Sequence, residues 1–409
     1  MSLQRLDAGL REDIQRLTAE GRAKPPERVI VDYVPADGDR GPRYKLDGQG
    51  DTLFLRMNSN SYLSLSHHPR LIEAADHASH TFGVGPGAVR FIDGTFAPHV
   101  GLERSIAAFM GRPAAKIFNS AYTANLGLAL SIQNKKTFWI GDQLNHNCII
   151  RAMRIANVPR SNKAIYKHND LDQLKAHIEA VPDDIERVVV IFDGVFSMRG
   201  DNAPIAEINA ILAPHRARFK EGLITIADDS HGVGAYGLTG RGTEEICGAQ
   251  ADVVVGTFGK AFGVNGGFVA GSEALIEAIR QKADTYIYTN PLSSADCAAA
   301  IEAVGITDSD EGLQRLADVR ARCAQFRAGL DRLGIESIPG DHPVIPIMVR
   351  DTDRCRAMVE GLFERGILVV GLNYPVVPKG DETIRVQINA AHTEADIDTL
   401  LRAVEDLSR

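Results

Sequence analysis

The sequence predicts an α/β protein, with a mostly parallel sheet covered by helices on both faces and a smaller α/β domain after it. Three observations carry this. From about Leu53, short apolar runs alternate with stretches of helical periodicity. The runs read as buried strands, as expected where helices cover both faces of a sheet. After Pro291 the alternation gives way to a helix-rich stretch and then to two further strand candidates.

The buried-strand candidates are residues 115–118, 137–140, 188–192, 223–227 and 253–257. Helical patterns over 124–132, 148–156, 171–181 and 204–215 separate most of them. Before them, Leu6, Leu10, Ile14 and Leu17 repeat at helical spacing and predict an amphipathic first helix. Residues 24–50 are rich in Pro, Gly and Asp and read as an arm. Beyond Pro291, a helix-rich run over 295–333 leads to strands at 344–349 and 384–388 and a closing helix from Glu394. The expected division is therefore an amino-terminal helix and arm (1–55), a large domain (56–294) and a small carboxyl-terminal domain (295–409).

Composition narrows the function. At 409 residues with 44% hydrophobic and 24% charged residues, the chain has the makeup of a soluble globular protein. A formal net charge of −8 argues against a broad nucleic-acid surface. No apolar run reaches the roughly 18–20 residues of a membrane span, and the polar amino terminus lacks a secretory core. Five dispersed cysteines without a CxxC pair fit reduced thiols rather than disulfides or a zinc site. A cytoplasmic location is the expectation, with neither nucleic acid nor membrane as partner.

Four segments gather polar residues at expected strand ends, where parallel sheets present ligand sites. Asn119–Asn125 joins a strand to a helix with small and hydroxyl residues, suited to an anion at a helix start or to an ordinary cap. Asp193–Met198 sets an acid and Ser197 after an apolar run, for orienting a ligand or for a turn. Asp228 and His231, three residues apart, end another strand. A buried carboxylate there can keep a pyridine nitrogen protonated and His231 can bond a ring oxygen, although a capping acid is the bland alternative. A metal pair is the weakest reading, since no further His or Cys ligands lie nearby, and no metal is expected. Finally, Thr257-Phe258-Gly259-Lys260 places a lysine amid glycines at a strand end. Such a lysine can form a Schiff base when burial and neighbours lower its pKa, whereas most lysines are simply solvated. The segment is neither a phosphate-binding P-loop, because Ala261 replaces the hydroxyl residue, nor a dinucleotide fingerprint opening an early βαβ unit.

In combination, with 29 residues between His231 and Lys260, these motifs are specific. The chain resembles the α-oxoamine synthase family of fold-type I pyridoxal-phosphate enzymes from about Asn58 to Thr393. The resemblance implies a large domain with a mostly parallel seven-stranded sheet, pyridoxal 5′-phosphate as cofactor, and condensation of an amino acid with an acyl-CoA. It also implies a homodimer with shared active sites. Residue by residue, Lys260 is implied as the Schiff-base lysine and proton-transfer base, Asp228 as partner of the pyridine nitrogen and His231 as contact to the ring oxygen. His146, in Asn145-His146-Asn147, takes the ring-stacking position. Ala121 and Tyr122, helped by Thr257, offer donors to the phosphate, and Thr289 resembles a hydroxyl that reaches a phosphate across the dimer. Ser197 matches a polar contact to cofactor or substrate. Arg385 resembles the clamp on the substrate carboxylate, with Asn60 near the same group.

Within the family, Asp193–Met198, Leu144-Asn145-His146, Val89–Ile92 and Arg385-x-Gln387 look most like glycine C-acetyltransferase. The loop Phe262–Gly267 is closer in length to other branches. Ser64 and Asn147-Cys148 depart from the family's usual Gly and Ala-Ser. Glycine or a close relative is thus the expected amino acid. The competing reading is a lyase or aldolase cleaving a β-hydroxy amino acid such as threonine. A silent, partner-binding member is disfavoured by the presence of Lys260, Asp228, His231 and Arg385 together.

Overall fold

The computed structural model describes residues 2–374 and 377–408; residues 1, 375, 376 and 409 lie outside the description. Contacts divide the chain into two compact units, one of Asn60–Arg320 with Gly340–Pro343, the other of Met1–Ser59, Ala321–Pro339 and Val344–Arg409. This division differs from one drawn at 55/56 and 294/295, because the amino-terminal arm and the carboxyl-terminal residues share a unit.

That second unit opens with helix α1 (Ser2–Ala19), which buries none of its residues. A hairpin of β1 (Ile30–Val34) and β2 (Arg43–Leu46) follows, then the short strand β3 (Leu55–Arg56). The arm is fastened at Gly41 and Arg43, which donate to the two oxygens of buried Asp396 at 3.1 and 2.5 Å. Breaking a buried pair of this kind costs about 3–5 kcal/mol.

The first unit is built on seven strands: β4 (Ala114–Phe118), β5 (Thr137–Asp142), β6 (Lys163–Tyr166), β7 (Arg187–Asp193), β8 (Leu223–Asp228), β9 (Val253–Thr257) and β10 (Gly267–Gly271). Their order is β4-β10-β9-β8-β7-β5-β6, parallel except that β10 runs against both β4 and β9. The sheet is therefore seven-stranded and mostly parallel, as expected. Continuous apolar runs explain its two covered faces. Val189 and Ile191 join one core with Trp139, Val253 and Val255. Their neighbours Val188, Val190 and Phe192 join the other with Phe138 and Ile140. Helices α2 (Pro69–Phe82), α3 (Ala97–Phe109), α4 (Ala121–Ile132) and α5 (Asn147–Ile155) belong to the same unit.

The other unit is completed by an antiparallel sheet of β11 (Val344–Met348), β13 (Val370–Leu372) and β14 (Thr383–Gln387), while β12 (Ile367–Leu368) pairs in parallel with β3. A helix over Glu394–Ser408 closes the chain.

Three departures from the sequence reading have physical causes. β6 escapes notice because half of its four residues are polar or aromatic. β10 is absent from the strand candidates, since Gly267 and Gly271 bound only three apolar residues. The expected helix over 204–215 gives way after Leu212 to a tighter 3₁₀ segment, where Pro214 cannot supply the next α-helical donor.

Gly267 explains why the antiparallel strand must begin with glycine. It pairs with both Phe118 and Thr257, and a Cβ there would lie 2.2 Å from the Ala121 nitrogen. Gly267→Ala should therefore displace the start of α4 and lower stability by about 1–3 kcal/mol, read as the urea midpoint. An unchanged midpoint would show that the helix start yields without cost.

Candidate active site

Strands β5, β7 and β8 end in Asp142, Asp193 and Asp228, all buried. Asp193 and Asp228 are register partners. Above these strand ends lies a cavity of about 250 Å³ lined by Ser120, Ala121, Tyr122, His146, Cys148, Asp193, Val195, Ser197, Asp228, Ser230, His231, Thr257 and Lys260. Eight of the residues singled out in the sequence thus meet in one place: Ala121, Tyr122, His146, Ser197, Asp228, His231, Thr257 and Lys260.

Each is held by its surroundings. Asp228 Oδ1 accepts from the Ser230 backbone N–H at 3.2 Å and its hydroxyl at 2.6 Å. Its Oδ2 accepts from Asn125 Nδ2 at 2.7 Å and from the Cys148 thiol at 3.6 Å. Four donors fix the plane of this carboxylate. His146 caps α5, its Nδ1 accepting from the Cys148 N–H at 3.2 Å, so a neutral ring carries its hydrogen on Nε2. Burial, reinforced by Lys260, pulls the His146 pKa down despite the attraction of Asp228. The His146 N–H donates to both Asp193 oxygens, at 3.2 and 3.1 Å. Burial, then the Asp228 charge, pushes the Asp193 carboxyl well above the usual range.

Lys260 stands between Phe258 and Phe262, both fully buried, and Phe258 also packs against Phe268 with ring centroids 5.3 Å apart. Burying each ring stabilises the loop by roughly 1.5–3 kcal/mol. The loop is closed by Phe258 N–H to Gly266 O and by Thr257 Oγ1 to Gly266 O, at 2.9 and 2.8 Å. Gly263 and Gly266 turn it at φ of 71° and 109°, a region that favours glycine.

At the start of α4, Ser120 Oγ accepts the Thr123 N–H at 3.1 Å. Ala121 and Tyr122 present a helix amino terminus to the cavity, an arrangement that attracts anions. Beside His231, the Tyr62 hydroxyl lies 2.7 Å from His231 Nδ1 and 3.3 Å from Asn60 Oδ1. Asn60 thereby reaches His231 through one hydroxyl. Thr289 lies outside the cavity wall, half-buried, with Asn119 Nδ2 3.4 Å from its hydroxyl. Arg385 lies on β14 of the other unit, in register with Pro346 and Val370.

Sequence reasoning passed over Tyr62, Asn125 and Ser230 as site residues, used Cys148 only to compare branches, and read Asp193 as a strand-end acid that orients a ligand or begins a turn. Tyr62 and Asn125 act through long-range contacts, which carry no spacing signal, whereas Ser230 bonds Asp228 from two residues away. Cys148 had a signal, its departure from the family's usual residue.

The residues present fit a pyridoxal phosphate. The cavity combines an amine, a carboxylate fixed by four donors, two imidazoles and an anion-attracting helix start. Close approach of β10 to α4 leaves no room for a Cβ at Gly267, which pins that helix start in place.

Buried Asp229 beneath the site supplies a pH test. It accepts from the Thr243 N–H and hydroxyl, both at 2.7 Å, yet burial outweighs these bonds and raises its pKa to about 7. Since the folded chain favours the protonated acid, its contribution is complete below about pH 4 and is lost as pH rises to about 7. Relative to Asp229→Asn, the wild type should lose stability over that window, by up to ~4 kcal/mol, in denaturant titrations. Parallel pH profiles would refute it.

The comparisons with known proteins agree with this geometry. The aminotransferase class I and II family matches residues 53–404. 8-amino-7-oxononanoate synthase of Thermosipho melanesiensis is 37% identical over 358 residues, covering 87% of this chain and 88% of the relative. The mitochondrial 2-amino-3-ketobutyrate coenzyme A ligase of Bos taurus is 34% identical over 412 residues, covering 100% and 93%. The solved structure of S. paucimobilis serine palmitoyltransferase with a bound PLP–myriocin aldimine superposes with a TM-score of 0.85 at 26% identity, covering 98% and 97%. With a family match along most of its length and α-oxoamine synthases among its relatives, the chain belongs to the aminotransferase class I and II family, in its α-oxoamine synthase group.

Proposed function

We propose that the chain condenses an amino acid, glycine or a close relative, with an acyl-CoA, releasing CoA and yielding an α-amino ketone or β-keto amino acid. The observation that carries this reading is the convergence of Lys260, Asp228, His146 and His231 on one cavity in a chain of this family. Coenzyme A in the name of the bovine relative supports the thioester as second substrate. Pyridoxal phosphate, when bound, supplies a carbonyl for amines and a ring that takes up the electron pair left by a broken α-bond.

The chain's own groups divide the work. Lys260 holds the cofactor through Nζ and, once displaced by the substrate amine, accepts the α-proton at that nitrogen. Asp228 keeps a proton on the ring nitrogen, and His231 bonds the ring oxygen. His146 lies against the ring face. The Ala121 and Tyr122 N–H groups bind the phosphate, helped by the Thr257 hydroxyl once its hydrogen turns from Gly266 O to the phosphate, with Thr289 reaching the phosphate of a second subunit. Ser197 contacts cofactor or substrate. Arg385 clamps the amino-acid carboxylate with Asn60 nearby, which selects the α-bond to be broken.

The working form in this reading is a cytoplasmic homodimer. Leu3, Leu6, Leu10 and Ile14 of α1 are all exposed, an apolar stripe that a second copy would cover. No helix among the described residues is long and apolar enough to cross a membrane.

Lys260→Ala should lower glycine-dependent CoA release by ~10³-fold or more and abolish the protein-linked visible absorbance of the cofactor. Should no acyl-CoA yield free thiol while threonine is cleaved to glycine, the condensation gives way to a lyase. Arg385→Lys should raise KM for the amino acid about 10-fold or more while cofactor affinity holds, because one ammonium cannot match a bidentate fork. Equal KM values would remove Arg385 from the carboxylate site.

A further inference from the structure

His168 follows β6 and sits outside the cavity lining, yet it touches the supports of two loops that form the cavity. Its Nδ1 lies 3.3 Å from both oxygens of Asp142, and its Nε2 lies 3.1 Å from Asp201 Oδ2. Asp142 ends β5 and accepts the Leu144 N–H at 2.8 Å, shaping the loop that leads to His146. It also accepts the Asn169 N–H at 2.8 Å, which holds Asn169 at a left-handed φ of 52°. Asp201 belongs to the turn that carries Ser197, and its carbonyl accepts the Phe196 N–H at 2.9 Å. Arg199 Nε donates to Asp201 Oδ2, the oxygen that faces His168, at 2.8 Å. The His168 ring stands edge-on to buried Phe196, with centroids 4.3 Å apart.

A neutral imidazole donates from one nitrogen only, so its other lone pair would face a carboxylate. With a carboxylate at each nitrogen, the arrangement demands two N–H groups. We propose that His168 is a positioning residue: a doubly bonded imidazolium that clamps the loop presenting His146 to the turn presenting Ser197. The proposal rests on the reading of His146 and Ser197 as cofactor-facing groups. The charged groups around the ring are Asp142 from β5 and Asp201 and Arg199 from the Ser197 turn. Burial lowers the proton affinity of the ring, but the bonds to Asp142 and Asp201 outweigh it and hold the pKa at about 9. The raised value means the clamp is complete below about pH 6.5, the ordinary histidine pKa, and is lost as pH rises through about 9.

The test is visible circular dichroism of the holoenzyme from pH 7 to 10.5, with far-ultraviolet spectra and cofactor dissociation constants alongside. In the wild type, the cofactor band should weaken reversibly with a midpoint near 9 while secondary structure holds. His168→Gln should bind pyridoxal phosphate about threefold or more weakly at pH 7.5 and lack that transition. Asp201→Asn keeps the ring but removes one carboxylate, and should lower the midpoint by about one unit. A His168→Gln protein with wild-type affinity, or with the transition at an unchanged midpoint, overturns the proposal. Should that variant not fold, an unmoved midpoint in Asp201→Asn does the same. His146→Ala separates the two readings: a silent His146→Ala removes the cofactor-facing role itself, whereas a silent His168→Gln beside an altered His146→Ala removes only the clamp.

Discussion

Two buried carboxylates side by side at the ends of β7 and β8 set the terms for the rest of the site. Asp193 and Asp228 are register partners, and both are withdrawn from water. Like charges in such a place repel unless donors and cations surround them. The neighbouring chain supplies these: the His146 N–H for Asp193, and Asn125, Ser230 and Cys148 for Asp228, with Lys260 nearby as the cation. The loop after β5, the turn after β8 and the first turns of α4 and α5 are therefore placed by the need to satisfy two acids. The cavity is what remains above them.

Much of this was legible in the chain because it is local. Apolar runs of four or five residues marked five of the seven strands, and the separations of Asp228, His231 and Lys260 marked the neighbouring ends of β8 and β9. What escaped depends on contacts distant in sequence. Tyr62 meets His231 across 169 positions and Asn125 meets Asp228 across 103, so neither leaves a periodic trace. β10 was hidden by its two bounding glycines, the first of which stands where α4 passes too close for a side chain. The arm's place with the carboxyl-terminal residues was hidden as well, since it depends on contacts far apart in sequence: the Arg43–Asp396 ion pair, the Gly41 N–H on the same acid and the pairing of β3 with β12.

The relatives share a frame and differ in what they are named for making. The frame here is set by the sheet, while differences lie in side chains around it. Ser64 illustrates the point. It holds a left-handed φ of 54° where the family usually has glycine, a conformation costing roughly 1–2 kcal/mol for an L-residue. Its neighbours Leu63 and Leu65 are both fully buried.

Cys148 gives the molecule a property unrelated to turnover. Its thiol is buried against Asp228, and burial together with the neighbouring Asp228 and Asp193 charges makes the thiolate very hard to form. Alkylating reagents attack the thiolate, so in the closed protein this sulfur is inert. Labelling at Cys148 then proceeds at the rate at which the first turn of α5 opens, and its speed becomes a clock for local unfolding directly beneath the site.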